Sequence, residues 1–135
     1  MESRLTLSNR LENLKVLRDF LQVWAKRRGL PKGRRESLEK AATEVFRYLV
    51  SRVYRPGQPG SIAIVLEDKG SRIRLMFEDD APAYNPVNLS SSAAEAKSPE
   101  LGGDVQLNAI PQLGDSLIYY RTADQKNRLV VFLTR

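Results

Sequence analysis

The sequence predicts an α+β fold, a two-layer sandwich of a mostly antiparallel sheet with helices on one face. Two segments before residue 55 carry apolar residues at helical spacing. Two pairs of alternating segments follow, and a short turn joins the members of each pair, which is typical of antiparallel hairpins. The length of 135 residues suits one hydrophobic core, so we predict a single domain over residues 1–135.

The N-terminal part begins with a short strand, since residues 4–7 (RLTL) alternate polar and apolar side chains. Asn9 followed by Glu12 resembles a capping box and predicts that the first helix starts there. This helix is expected to end near Gly29, because glycine tolerates left-handed backbone and a proline follows two residues later. Its apolar residues recur at helical spacing: Leu11, Leu14, Leu17, Phe20, Leu21 and Trp24.

A second helix is predicted to start between residues 33 and 36 and to end before residues 55–60 (RPGQPG), whose breaks specify a loop. Its apolar positions are Leu38, Ala41, Ala42, Val45, Phe46, Leu49, Val50 and Val53. On the polar face Glu44, Tyr48 and Arg52 follow one another at steps of four, so they are expected to stack. A tyrosine between an acid and a base raises the question of a functional site.

The strands are predicted as two hairpins. Residues 61–67 and 72–78 alternate, and residues 68–71 (DKGS) supply the turn between them. Residues 115–121 and 127–135 form the second pair. Hairpins imply antiparallel pairing within each pair.

The segment between the hairpins carries weaker signals. Residues 90–99 are rich in serine and alanine and have no apolar face, so they predict a mobile surface loop. A helix of about two turns is expected ahead of Pro111, which cannot continue it. Its apolar residues are Val105, Leu107, Ala109 and Ile110.

The composition excludes several classes of chemistry. The chain has no cysteine, which rules out disulfides, thiol nucleophiles and cysteine-based zinc sites. It has no histidine either, which rules out Ser-His-Asp triads, histidine-ligated metals and phosphohistidine chemistry. Proton transfer would therefore fall to carboxylates, lysine or tyrosine.

The N-terminus is polar and lacks the apolar core of a signal peptide, and no apolar run approaches the ~20 residues that cross a bilayer. We therefore expect a cytoplasmic protein. The net charge of +6 raises the alternative of nucleic-acid binding. Neither exposed aromatics nor a reading helix is evident, so a solvated surface or one that faces an acidic partner is favoured. The basic residues cluster at Lys26, Arg27, Arg28, Lys32, Arg34 and Arg35.

Five stretches, taken together and in order, resemble a known family. They are GLP (29–31), the glutamate within AATEVFRYLVSRVY (41–54), YRPGQPG (54–60), DDAPAYNP (79–86) and LVVFLTR (129–135). In this order the chain resembles the anti-sigma factor serine/threonine kinases of bacterial partner-switching systems. These belong to the GHKL, or Bergerat-fold, superfamily of histidine-kinase-like ATPases, whose antiparallel sandwich agrees with the predicted fold. The resemblance implies three boxes that bind Mg-ATP.

In the first box the resemblance makes Glu44 the candidate general base for an attacking serine hydroxyl. The family has a magnesium-ligating asparagine four residues later, and Tyr48 stands there instead. Magnesium prefers hard oxygen ligands in octahedral geometry, and a neutral phenol is a poor substitute. The alternative is structural: Glu44 on a helix surface, and Tyr48 over the sheet or paired with Arg52 by a cation–π contact.

In the second box the resemblance places Asp79 on the adenine amino group and a glycine two residues later, where this chain has Ala81. If that position needs a positive φ, a Cβ costs on the order of 1 kcal/mol. If the glycine only makes room, the methyl group reaches toward the base. The alternative is a plain acidic strand end.

In the third box Gly102 and Gly103 are retained as candidate nucleotide-binding residues, whereas Asp104 and Gln106 stand at the key glycines. An aspartate at a helix N-terminus caps the free N–H groups and repels a triphosphate. The alternative is a turn with an ordinary helix cap.

The resemblance and the altered boxes favour an anti-sigma regulatory module that binds proteins and has weakened or lost ATP binding. We then expect no cofactor and no membrane, and as partners a sigma factor or an anti-sigma antagonist protein, with a homodimer implied by the resemblance. The first alternative is an active ATP-dependent serine kinase that uses Mg-ATP, with Glu44 as base. The second is a basic nucleic-acid-binding domain, which rests on charge alone and is disfavoured.

Overall fold

The computed structural model describes residues 2–84 and 116–135. Within these ranges the chain forms five strands and two α-helices. In chain order they are β1 (Glu2–Ser8), α1 (Leu14–Arg27), α2 (Lys32–Tyr48), β2 (Ser61–Asp68), β3 (Arg72–Asp79), β4 (Ser116–Arg121) and β5 (Asn127–Thr134). A 3-10 turn (Leu11–Asn13) precedes α1, and a π turn (Leu49–Val53) follows α2.

The strands form one sheet in the order β1-β2-β3-β5-β4, and every neighbouring pair is antiparallel. Both predicted hairpins are confirmed. In the first turn Gly70 has a positive φ of 87° and donates its N–H to Asp68 Oδ1 at 2.9 Å. The α+β sandwich predicted from the sequence is therefore the fold that the structure shows.

The helices lie on one face of the sheet, and the core fills the space between the two layers. Leu75 of β3 illustrates the register, since it pairs with Leu66 on one side and with Val131 on the other. From the helices and the π turn the core receives Leu17, Leu21, Trp24, Leu38, Val45, Phe46 and Leu49, among others. On the opposite face a smaller cluster forms from Val65, Met76 and Val130.

The ends of α1 confirm one prediction and correct another. Gly29 follows the helix with a φ of 69°, as its left-handed role requires. The prediction of a capping box is wrong, because the Asn9 side chain forms its hydrogen bonds with the loop ahead of β2. Its Nδ2 donates to Gln58 O at 2.8 Å, and its Oδ1 accepts the N–H of Gly60 at 3.0 Å. Asn9 therefore ties β1 to the loop ahead of β2.

The end of α2 changes the expected stack of Glu44, Tyr48 and Arg52. The helix widens into the π turn directly after Tyr48, and the Tyr54 N–H bonds to Leu49 O at 3.2 Å. Positions four apart do not stay aligned through such a turn. The placement of Tyr48 on a polar face is also wrong, since the side chain is only 4% exposed and lies in the core.

The predicted loop 90–99 and the short helix ahead of Pro111 lie outside the described residues. Among the residues that are described, no helix is both long and apolar enough to span a membrane.

Candidate functional site

Asp79 lies at the end of β3 on the side that faces the helices, and it is only 1% exposed. Its Oδ1 accepts the N–H of Ala81 at 3.0 Å and the Nδ2–H of Asn127 at 2.8 Å. Its Oδ2 accepts the hydroxyl of Tyr84 at 3.2 Å. A carboxylate offers about four acceptor positions, so groups of the protein already fill most of them.

Tyr84 lies between two other tyrosines, and we call the three the tyrosine cluster (Tyr48, Tyr84 and Tyr119). The ring centroid of Tyr84 is 6.0 Å from that of Tyr48 and 4.9 Å from that of Tyr119. Tilted rings at these separations attract one another. The Tyr84 N–H also donates to the Tyr119 hydroxyl at 3.2 Å, so backbone and ring are both fixed.

Asn127, the first residue of β5, joins the tyrosine cluster to Asp79 and is fully buried. Its Nδ2 lies within hydrogen-bond distance of Asp79 Oδ1, Ala81 O and Pro82 O, at 2.8–3.1 Å. Its Oδ1 accepts from Arg121 Nη1 at 2.8 Å and from the Tyr119 hydroxyl. Every polar atom of the amide therefore has a partner, as a buried amide requires.

These surroundings shift the pKa values of the acidic groups. Burial raises the pKa of Asp79, although the hydrogen bonds from Asn127, Ala81 and Tyr84 oppose this. Burial also raises the pKa of Tyr84 well above its usual value, and the adjacent Asp79 carboxyl adds to the effect. The Tyr84 phenol therefore stays neutral and acts as a hydrogen-bond donor.

Ala81 occupies ordinary backbone, since Gln125 is the one non-glycine residue with a positive φ in the described ranges. The backbone at this position therefore does not need a glycine to reach a positive φ. The Ala81 side chain is buried in the main core. A methyl group thus fills the space that a glycine would leave beside Asp79.

The family model of the histidine kinase-like ATPase domain matches residues 7–133, from the end of β1 to the end of β5. The chain belongs to this family. No curated protein matches it. In a histidine kinase-like ATPase domain, the resemblance described above assigns Asp79 to the adenine amino group. In this structure Asp79 is almost fully buried, and its Oδ2 accepts a hydrogen bond from the Tyr84 hydroxyl.

The residues that the resemblance assigns to the first box, Glu44 and Tyr48, lie on α2. Glu44 is half-buried there, one turn before Tyr48. Burial raises the pKa of Tyr48, and the positive charge of Arg52 opposes the rise only in part, so the phenol is neutral. A neutral phenol packed against Tyr84 is unsuited to bind Mg²⁺.

The structure therefore brings together Tyr48, Asp79 and Ala81 of the predicted site residues, with Tyr84 between the two boxes. Gly102 and Gly103 lie outside the described residues, as do Asp104 and Gln106. Sequence reasoning missed Tyr84, Tyr119 and Asn127. The signal for Tyr84 was its place five residues after Asp79 in the DDAPAYNP motif, and for Asn127 it was a poor strand former directly before an alternating strand.

Proposed function

We propose that this chain is a protein-binding regulatory module of the anti-sigma factor type, in which ATP binding has been weakened or lost. One observation carries the proposal. The carboxylate that the family resemblance assigns to adenine accepts a hydrogen bond from Tyr84 and is almost fully buried. The Tyr84 hydroxyl thus makes the hydrogen bond to Asp79 that the adenine amino group would make.

The cost of admitting adenine supports this view. Adenine would have to displace the Tyr84 ring from between Tyr48 and Tyr119. Each ring contact is worth about 0.5–1.5 kcal/mol, and returning the ring to water costs up to about 3 kcal/mol. A hundredfold loss of affinity takes only about 2.8 kcal/mol, so displacing this one side chain is enough.

Two further changes act in the same direction. Tyr48 stands where the family resemblance places the magnesium-ligating asparagine, and Asp104 stands at a glycine of the third box, where its charge opposes a triphosphate. Regulation would then depend on competition between partners, a sigma factor and an anti-sigma antagonist, rather than on phosphorylation. A homodimer in the cytoplasm belongs to the same proposal, and the resemblance to anti-sigma factor kinases supports it.

Thermal unfolding with and without Mg-ATP tests the loss of the nucleotide. A ligand at about 100 times its dissociation constant stabilises a protein by about 2.7 kcal/mol, which raises the Tm of a domain of this size by several degrees. We expect no shift at millimolar Mg-ATP. A clear shift would contradict the proposal and favour the serine kinase, with Glu44 as base.

A variant pair tests whether the tyrosines are the obstacle. Tyr48→Asn with Tyr84→Ala removes both rings, frees Asp79 and restores the asparagine of the first box, so we expect a Mg-ATP-dependent rise in Tm. Tyr120→Ala is the control, because Tyr120 is an exposed tyrosine outside the tyrosine cluster. An equal rise in the control, or no rise in the double variant even when Asp104→Gly is added, would show that the two rings do not exclude the nucleotide.

A further inference from the structure

A groove of about 320 Å³ runs between α1 and α2, away from the tyrosine cluster. We call it the helix-pair groove. Leu21, a core residue, is its apolar lining residue. The polar lining consists of Gln22 and Lys26 from α1 and of Lys32, Arg35, Glu36 and Glu39 from α2. A concave surface with an apolar base and charged walls suits a peptide segment better than the flat surface of a folded domain.

Most of the cations beside the groove form no ion pair within the described residues. Between residues 26 and 35 the chain has six cations and no acid: Lys26, Arg27, Arg28, Lys32, Arg34 and Arg35. Arg28 lies 4.0 Å from Asp68 and stacks over Trp24. The other five form no ion pair with any described residue.

The position of these cations is also electrostatically unfavourable for the isolated chain. The first turn of α2 contains Lys32, Arg34 and Arg35 and no acidic residue. The N-terminus of a helix carries partial positive charge, so cations there cost stability and anions would restore it. An acidic group from outside the chain would relieve this repulsion.

Two exposed apolar side chains also lie on α1, and one of them, Val23, is one turn before the groove residue Lys26. Val16 and Val23 lie seven residues apart on α1 and are 45% and 50% exposed. This spacing places both on one face of the helix. Exposed apolar side chains beside cations fit an amphipathic peptide, which buries one face and presents charge on the other.

Two carboxylates in the groove argue against a nucleic acid. Glu36 and Glu39 line its wall, and Glu39 accepts a hydrogen bond from Gln22 Nε2 at 3.2 Å. A phosphate backbone would meet their repulsion along its length, whereas a peptide can direct its acidic side chains to the cations alone.

We propose that the helix-pair groove binds an acidic amphipathic segment of a partner protein. The carboxylates of that segment pair with Lys26, Lys32 and Arg35, and its apolar side chains lie against the exposed Val23, one turn before Lys26 on α1. The proposal rests on the proposed function as a protein-binding module and names the surface and the chemistry of the partner.

A labelled amphipathic peptide of leucine, alanine and glutamate at helical spacing serves as the probe, at an ionic strength where the Debye length is about 8 Å. Fluorescence anisotropy measures its affinity, and NMR of the labelled protein maps its position. We expect shifts confined to residues 16–39 and a weakening of about tenfold or more in Lys32→Glu/Arg35→Glu. Arg55→Glu/Lys69→Glu is the matched control, because it changes the net charge equally at exposed positions outside the groove.

Three results would overturn the proposal. They are shifts spread over the basic surface, equal weakening in the two double variants, and a DNA duplex that binds the groove more tightly than the peptide. The proposed function fails separately, since Mg-ATP can stabilise the chain whether or not the peptide maps to the groove. Specific peptide binding without an ATP response would support both.

Discussion

At the scale of single residues, Asp79 and Asp80 are chain neighbours in opposite environments. Burial raises the pKa of Asp79. For Asp80 burial acts in the same direction, but hydrogen bonds from the Tyr54 hydroxyl and the Ser61 N–H outweigh it and hold the pKa below its usual value. One carboxylate is thus costly to ionise in the folded protein, and the other is stabilised by ionising.

These directions predict pH dependences of opposite sign. Between about 3.9, the ordinary pKa of aspartate, and the raised pKa of Asp79, the folded chain keeps a proton that the unfolded chain has lost. The contribution of Asp79 to the free energy of unfolding therefore falls as pH rises through this window. The contribution of Asp80 rises with pH up to its unfolded pKa and is lost as pH falls through its lowered folded pKa.

Urea unfolding of Asp79→Asn and Asp80→Asn over a pH series measures both effects. The free energy of unfolding of Asp79→Asn, minus that of the wild type, should increase from about pH 4 upward and level off above the folded pKa. The same difference for Asp80→Asn should decrease with rising pH in a window that ends near pH 4. Equal signs in the two variants would contradict the assigned environments.

At the scale of elements, the junction between the π turn and β2 depends on a glycine. A Cβ placed on Gly60 would overlap the ring of Tyr54 and lie 2.8 Å from Asp80 Oδ1. The ring is buried, and its hydroxyl lies 3.1 Å from Ser61 O, so it has little room to move. The same loop receives the Asn9 side chain from β1.

Gly60→Ala is therefore expected to destabilise the protein by about 1–3 kcal/mol, as overpacking of a filled site does. Gly33→Ala is the matched control, because Gly33 lies in α2 with no atom within 4 Å of its added Cβ. Alanine is favoured over glycine in a helix by about 1 kcal/mol, so this change should be neutral or stabilising. If the urea midpoints of both variants shift equally, the Tyr54 ring can move aside to accommodate the added methyl group at residue 60.

Local sequence patterns predicted the helices, strands and turns well, but not which side chains they bury or which distant residues those side chains contact. The turn at residues 68–71 and the end of α1 at Gly29 depend on neighbouring residues only, and both were predicted. Whether Tyr48 faces solvent or the core depends on what packs against α2, which spacing alone does not reveal. Asn9 looked like a cap because its partners Gln58 and Gly60 lie some fifty residues away in sequence.

At the scale of the whole molecule, the sheet order explains why the site was only half predictable. Sequence order would place β4 beside β3, but β5 lies between them. This insertion sets Asn127 opposite Asp79 and carries Tyr119 to Tyr84. The departures from the family boxes at Tyr48 and Ala81 are visible in the sequence itself. The Asn127 side chain that donates a hydrogen bond to Asp79 is brought there by the pairing of β3 with β5, which local sequence patterns do not reveal.

One sheet and one main core also predict how the protein unfolds. Trp24 is the sole tryptophan and lies in the main core with residues from both helices and the central strands. Its fluorescence reports the packing of α1, whereas far-UV circular dichroism reports the backbone as a whole. Because α1 and the sheet share this core, we expect the two signals to give the same urea midpoint and the same slope, as two-state unfolding requires. A fluorescence transition at lower urea would mean that α1 detaches first, and would contradict the single domain predicted over residues 1–135.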